Sequence, residues 1–150
     1  MRILSHWIRI YLRYINDEGR KAAVEIQMSE LTAQQIIELH DNIIERTGGT
    51  KGVLNIGTID HLIYRLSREK DAFRKASIAL EQIITNHPFF DGNKRTGFQV
   101  ADLILGDNGY YIAASKQEIL RALLKIAKYQ CSIKNIEQWI KRKAEKSHFG

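Results

Sequence analysis

Residues 87–96 read His87-Pro88-Phe89-Phe90-Asp91-Gly92-Asn93-Lys94-Arg95-Thr96, a polar interval between two apolar runs. Upstream, Phe73, Ala76, Leu80, Ile83 and Ile84 form one stripe at helical spacing from a start near Asp71, and Pro88 requires that helix to end before it. Downstream, a helix starting at Asn93 or Lys94 runs through Phe98, Ala101, Ile104 and Leu105 until Asn108 and Gly109 supply a C-cap. Asp91, Gly92 and Asn93 therefore form the turn between two helices. The amides after the turn belong to a first helical turn, whose N–H groups lack intrahelical partners, so Lys94 and Arg95 flank a ready anion site.

Outward from this pair, the helical period continues. Thr32 and Gln35 form a capping box ahead of Ile36, Leu39, Ile43 and Ile44, with Gly48 and Gly49 as the stop. A second helix is expected over Ile59 to Leu66. Ser115 and Glu118 cap a further helix that should bury Ile119, Leu120, Leu123 and Leu124, and Ser132 opens a last one carrying Ile133, Ile136 and Ile140. The first residues differ: Ile8, Ile10, Leu12 and Tyr14, then Ala22, Val24 and Ile26, alternate with polar neighbours around a turn at Asn16 to Gly19. The expected architecture is a mainly all-α bundle of about six helices with an N-terminal β-hairpin, divided as a 1–27 extension and a 28–150 domain.

Composition limits the class. The chain has 150 residues, 44% hydrophobic and 27% charged, enough to bury a core without a disulfide framework or structural metal. One cysteine, Cys131, fits a reducing compartment, and no apolar run approaches a membrane span or secretory signal, so the expectation is a cytoplasmic protein with no membrane attachment. The net charge of +6 has a location: residues 1–115 carry 14 basic and 14 acidic side chains, residues 116–150 nine and three. A basic C-terminal helix meets a nucleic acid, an anionic protein or only water.

The loop supplies the chemistry. His87 carries an imidazole, which can take a proton from an attacking hydroxyl. Asp91 is a hard oxygen ligand suited to a Mg²⁺ ion bridging phosphates. Arg95 offers a planar fork of donors, Lys94 a point charge and Asn93 an amide for phosphate oxygens, with Gly92 in the turn beside them.

This segment resembles the signature of the Fic/Doc superfamily: a His, a Phe two on, then Asp-Gly-Asn and a basic pair. With Lys94 and Thr96 it is most similar to the Doc branch, the death-on-curing toxins of toxin–antitoxin modules. The stretch from Ile37 to Gly49, IELHDNIIERTGG, resembles the first helix of Doc-like proteins, and Gly109-Tyr110 sits where they carry such a pair, so residues 29–143 are covered and the hairpin is outside. The resemblance implies a Fic/Doc-like helical fold and ATP with Mg²⁺ as the nucleotide and metal. It also implies His87 as base, Asp91 as metal ligand, and Gly92, Asn93, Lys94 and Arg95 as the nucleotide-binding set. Fic proteins transfer AMP to a protein hydroxyl, whereas the Doc branch transfers the γ-phosphate and inactivates an elongation factor of the Tu type. AMP-transferring members carry a second Gly at the position of Lys94 and an Arg at that of Phe98. A side chain at Lys94 obstructs that approach to the diphosphate, which favours protein Ser/Thr kinase activity over nucleotidyl transfer. The self-inhibitory pattern of many Fic proteins, Ser or Thr followed four residues later by Glu and then Gly or Asn, is missing, which implies a separate cognate antitoxin.

Other residues have plainer readings. Phe89 is expected to plug the loop into the core, and Phe90 is open. His40 and His61 lie on different helices without ligand spacing, so a structural role is expected of both, as is packing of Trp7 and Trp139. Arg65, Arg68, Lys70 and Arg74 are either a solvated charged loop or lie where relatives carry a flap that aligns the target. The reading from a different class is a non-catalytic module whose anion site and basic C-terminal helix grip nucleic acid or an acidic protein segment.

Overall fold

Side-chain oxygens start five of the six helices found in the computed structural model, which describes residues 31–147. The helices are α1 (Ala33–Thr47), α2 (Ile56–Ser67), α3 (Ala72–Asn86), α4 (Asn93–Asp107), α5 (Lys116–Ala127) and α6 (Ile133–Lys143), with strands β1 (Tyr110–Ile112) and β2 (Ala144–Lys146). The caps are Thr32, Asn55, Asp71, Ser115 and Ser132. Thr32 with Gln35 and Ser115 with Glu118 close the two expected capping boxes. The fold is mainly helical, as the sequence predicts. The hairpin expected over residues 7–27, and the boundary expected after it, lie outside the described residues.

The third helix is the axis of the bundle. Ala76 through Leu80 and Ile83 through Thr85 are all buried, because α2, α4, α5 and α6 all pack against α3. Its closest partner is α4, and Gly97 explains how close: a Cβ there would stand 3.1 Å from Ile84 Cγ1 and 3.5 Å from Ile83 Cβ. Helices that approach over Gly97, with Leu80 O 3.5 Å from a Cβ there, leave no room between their backbones for a larger side chain at that point. The first helix lies across α4 and α2, burying Ile36, Leu39, His40, Ile43 and Ile44.

Two expectations are corrected and one feature is added. Helix α2 begins at Ile56 rather than Ile59, because Asn55 Oδ1 accepts the Thr58 N–H at 3.3 Å and caps an earlier turn. On α5 the buried residues are Leu123 and Ile126, while Leu120 and Leu124 stay 49% and 48% exposed; the helix sits at the bundle edge and buries only a narrow stripe. Strands β1 and β2 were not legible as strands. They pair antiparallel, Tyr110 with Lys146 and Ile112 with Ala144, and three residues are too few to display a two-residue period.

Candidate active site

The loop between α3 and α4 sits where it does because Pro88 ends one helix and Gly92 starts the next. His87 is the C-cap of α3 in the left-handed conformation (φ 48°, ψ 63°), an uncommon state for a residue with a Cβ. Its Nδ1 lies 3.2 Å from Thr85 O. A ring nitrogen facing a carbonyl must donate, so Nε2 is left as the acceptor, the form a general base requires. The side chain is exposed at the surface rather than buried in the core.

Beyond His87 the chain turns inward. Phe89 is 1% exposed and stacks on His40, ring centroids 3.8 Å apart at 4°. Asn93 straps this plug from below: its Oδ1 accepts from Phe89 N at 3.1 Å and its Nδ2 donates to Phe89 O at 2.9 Å, both buried. The Asn93 amide, expected to reach a phosphate oxygen, satisfies the backbone of a buried turn with Oδ1 and one Nδ2–H and keeps a second N–H. His40, fully buried, donates from Nε2 to Asp91 O at 2.7 Å. The structural role expected of His40 is therefore specific: it supports the plug by stacking and the Asp91 backbone by a hydrogen bond.

Asp91 is the hub of the exposed side of the loop. Its Oδ2 accepts the Thr50 N–H at 3.0 Å and its Oδ1 the Gly92 N–H at 2.8 Å. These two backbone donors, with the Arg95 guanidinium 3.6 Å away, hold the carboxyl below its usual range, so it stays ionised through mildly acidic pH. The Asp91 side chain remains 44% exposed. Each carboxylate oxygen has a second lone pair beyond the one taken by the backbone. Gly49 makes this arrangement possible, since at φ 125° a Cβ on it would stand 2.6 Å from Asp91 Oδ2. Sequence reasoning saw Gly49 only as a helix stop; nothing local signals a contact made 42 positions later.

A fit to Mg²⁺ can be tested on these contacts. No group of three or more His, Cys, Asp or Glu side chains is placed to hold a metal among the described residues. Asp91 alone would contribute one ionised, backbone-anchored carboxylate. A Mg²⁺ ion that keeps several waters and is shared with substrate phosphates needs no more from the protein, so the residues fit.

Helix α4 supplies the anion side. Alone among the described helices it has no side-chain cap, since Gly92 (φ 75°) occupies the N-cap position. The first hydrogen bond back to the turn is Thr96 N–H to Gly92 O at 2.9 Å, which leaves the amides of Asn93, Lys94 and Arg95 without an intrahelical acceptor. Lys94 is exposed on this first turn. Arg95 crosses to α1, where Nη1 donates to Gly48 O at 2.8 Å and to the Thr47 hydroxyl. Its guanidinium thus ties the end of α1 to Asp91 while remaining 37% exposed.

Two neighbours escaped sequence reasoning. The hydroxyl of Tyr129, after α5, donates to Thr85 O at 3.1 Å, the same carbonyl that His87 uses. Tyr129 (φ 60°) and His87 are the two non-glycine residues with positive φ among the described residues, and they meet at one oxygen. The other neighbour is the segment 50–55 between α1 and α2. Pro88 O accepts from Leu54 N at 2.7 Å and Asn55 N at 3.0 Å, and Gly52 O accepts from Phe90 N at 3.2 Å. This segment is the strand-like neighbour of the loop, bridging Val53 to Phe89; residues 65–74 lie between and at the ends of α2 and α3. There Arg74 pairs with Glu69 and Glu137, and Arg68 lies over the Tyr64 ring. Phe90, left open by the sequence, is 60% exposed beside Gly52.

Such a fold and loop define a helical protein that carries a histidine, a carboxylate and an uncapped, lysine-bearing helix start on one exposed loop. The profile of the Fic/DOC family matches residues 30–105, and the chain belongs to that family. It is also similar to "Protein kinase doc" of Escherichia phage P1, 27% identical over 121 residues that cover 77% of this chain and 95% of that relative.

Proposed function

We propose that this protein is a Doc-like toxin that transfers the γ-phosphate of Mg²⁺-ATP to a Ser or Thr hydroxyl of a protein target, a translation elongation factor of the Tu type. The observation that carries the reading is the pairing of an exposed His87, with Nε2 left as acceptor, and an uncapped α4 start bearing Lys94. The name of the phage relative and the Lys94 side chain support phosphate over AMP.

In this reading the target oxygen attacks the γ-phosphorus, its proton passes to His87 Nε2, and the bond to the bridging oxygen breaks to release ADP. The amides of Asn93, Lys94 and Arg95 and the Lys94 ammonium stabilise charge on the phosphate oxygens. Asp91 would hold Mg²⁺, which neutralises phosphate charge when bound. The Asn93 amide, Gly92 and Gly49 shape the loop, and Arg95 positions Asp91. Inhibition belongs to a cognate antitoxin, and the setting is the cytoplasm.

The test is transfer from ATP labelled separately at its γ- and α-phosphates, with purified protein, Mg²⁺ and a bacterial translation extract. A γ-labelled protein band that disappears with His87→Ala is expected. An α-labelled band would replace the kinase with an AMP transferase, and no band from folded protein would end the transferase reading.

A further inference from the structure

Helices α5 and α6 both pack on α3 yet hardly touch each other, and a groove of about 580 Å³ lies between them. Lys143 on α6 closes the gap at one point by its 2.7 Å bond to Glu118 on α5. No residue of the 87–96 loop lines the groove, so it is separate from the site above. Its walls are mixed: Ala122, Trp139 and the free thiol of Cys131 stand beside Gln130, Asn135 and Gln138, while Ile126 and Ile136 are almost fully buried.

The rim carries the chain's excess charge. Arg121 and Lys125 stand on one wall and Arg142 on the other, all exposed. None of the three has a carboxylate partner among the described residues, whereas Lys143 and Lys141 are paired with Glu118 and Glu137. Arg121 and Lys125 are four apart on one helix, an arrangement of like charges that costs helix stability unless an anion faces it. A trough of mixed aromatic, aliphatic and amide side chains between cationic rims is complementary to one kind of occupant. We propose that the α5–α6 groove binds an acidic peptide segment of a partner protein, with an apolar side chain against Trp139 and carboxylates on Arg121, Lys125 and Arg142. A nucleic acid fits less well, because phosphates set along the cationic rims would leave Trp139 and Ala122 uncovered.

The experiment uses the full chain and a short fluorescein-labelled peptide with Leu at helical spacing and Glu between, against the same peptide with every Glu replaced by Gln. Anisotropy should show the Glu peptide binding about tenfold more tightly, with the difference shrinking as salt rises. Binding should slow alkylation of Cys131, fall about tenfold in Arg121→Glu/Arg142→Glu with unchanged circular dichroism, and persist in His87→Ala. Persistence in His87→Ala separates this site from the transferase reading. Equal binding of the two peptides, no binding, or an unprotected Cys131 would overturn the proposal. Tighter binding of a single-stranded oligonucleotide would transfer the groove to nucleic acid, and a dimer that the double variant dissociates would transfer it to a second copy of the chain.

Discussion

Individual residues around Asp91 show how few atoms the arrangement of the loop depends on. Its carboxylate is held by two backbone N–H groups, and one of its oxygens lies only 2.6 Å from where a Cβ on Gly49 would stand. At the native φ of 125° Gly49→Ala must both move Asp91 and strain the backbone by about 1–3 kcal/mol, unless the loop itself shifts. We expect Mg²⁺-ATP binding to weaken about tenfold while the protein stays folded, read by isothermal titration beside thermal unfolding. Unchanged affinity would show that Gly49 serves only the turn. Asn93 teaches a related lesson. Its identity was legible as a polar loop residue, but an amide looks the same in sequence whether it faces a phosphate or its own backbone, and only burial between Phe89 N and O decides.

Among the elements, the α3–α4 pair is the frame on which His87 and the α4 amides are set. The close packing over Gly97 fixes the distance between the two ends that carry the site. Gly97→Leu would drive a side chain into Ile84 and Ile83, so a loss of about 1–3 kcal/mol or more is expected, measured by urea unfolding. Full stability in that variant would mean that the helices can separate without cost. Helix starts were readable because capping is local: Thr32, Asp71, Ser115 and Ser132 each act within three residues of themselves. The buried face of α5 was not, since its pattern offers Leu120 and Leu124 as readily as Leu123, and the number of neighbours available at the bundle edge chooses between them.

For the whole molecule, stability has a pH dependence rooted in Asp102. This carboxyl is largely buried, and although Ile112 N–H donates to it, loss of hydration raises it to about 6. Its folded value lies above its unfolded one, so the native state binds the proton more tightly. The resulting stability is complete below about pH 4 and is lost as pH rises through about 6. Asp102→Asn removes the cost of ionisation, and we expect it to raise stability at pH 8 by about 1–2 kcal/mol with little change at pH 4, read by chemical denaturation at the two pH values. A gain of equal size at both would assign the effect to packing instead. The sequence by itself determined the helical periods, their caps, and the loop of His87 to Arg95 that marks the family, because each is written in contacts a few residues apart. Tertiary structure alone decided that Gly49 makes room for Asp91, that Tyr129 joins His87 at Thr85 O, that segment 50–55 lines the loop, and that α5 and α6 leave a cationic groove. Those pairings bring together residues tens of positions apart, and their distances follow from how the helices pack on α3, which no local pattern encodes.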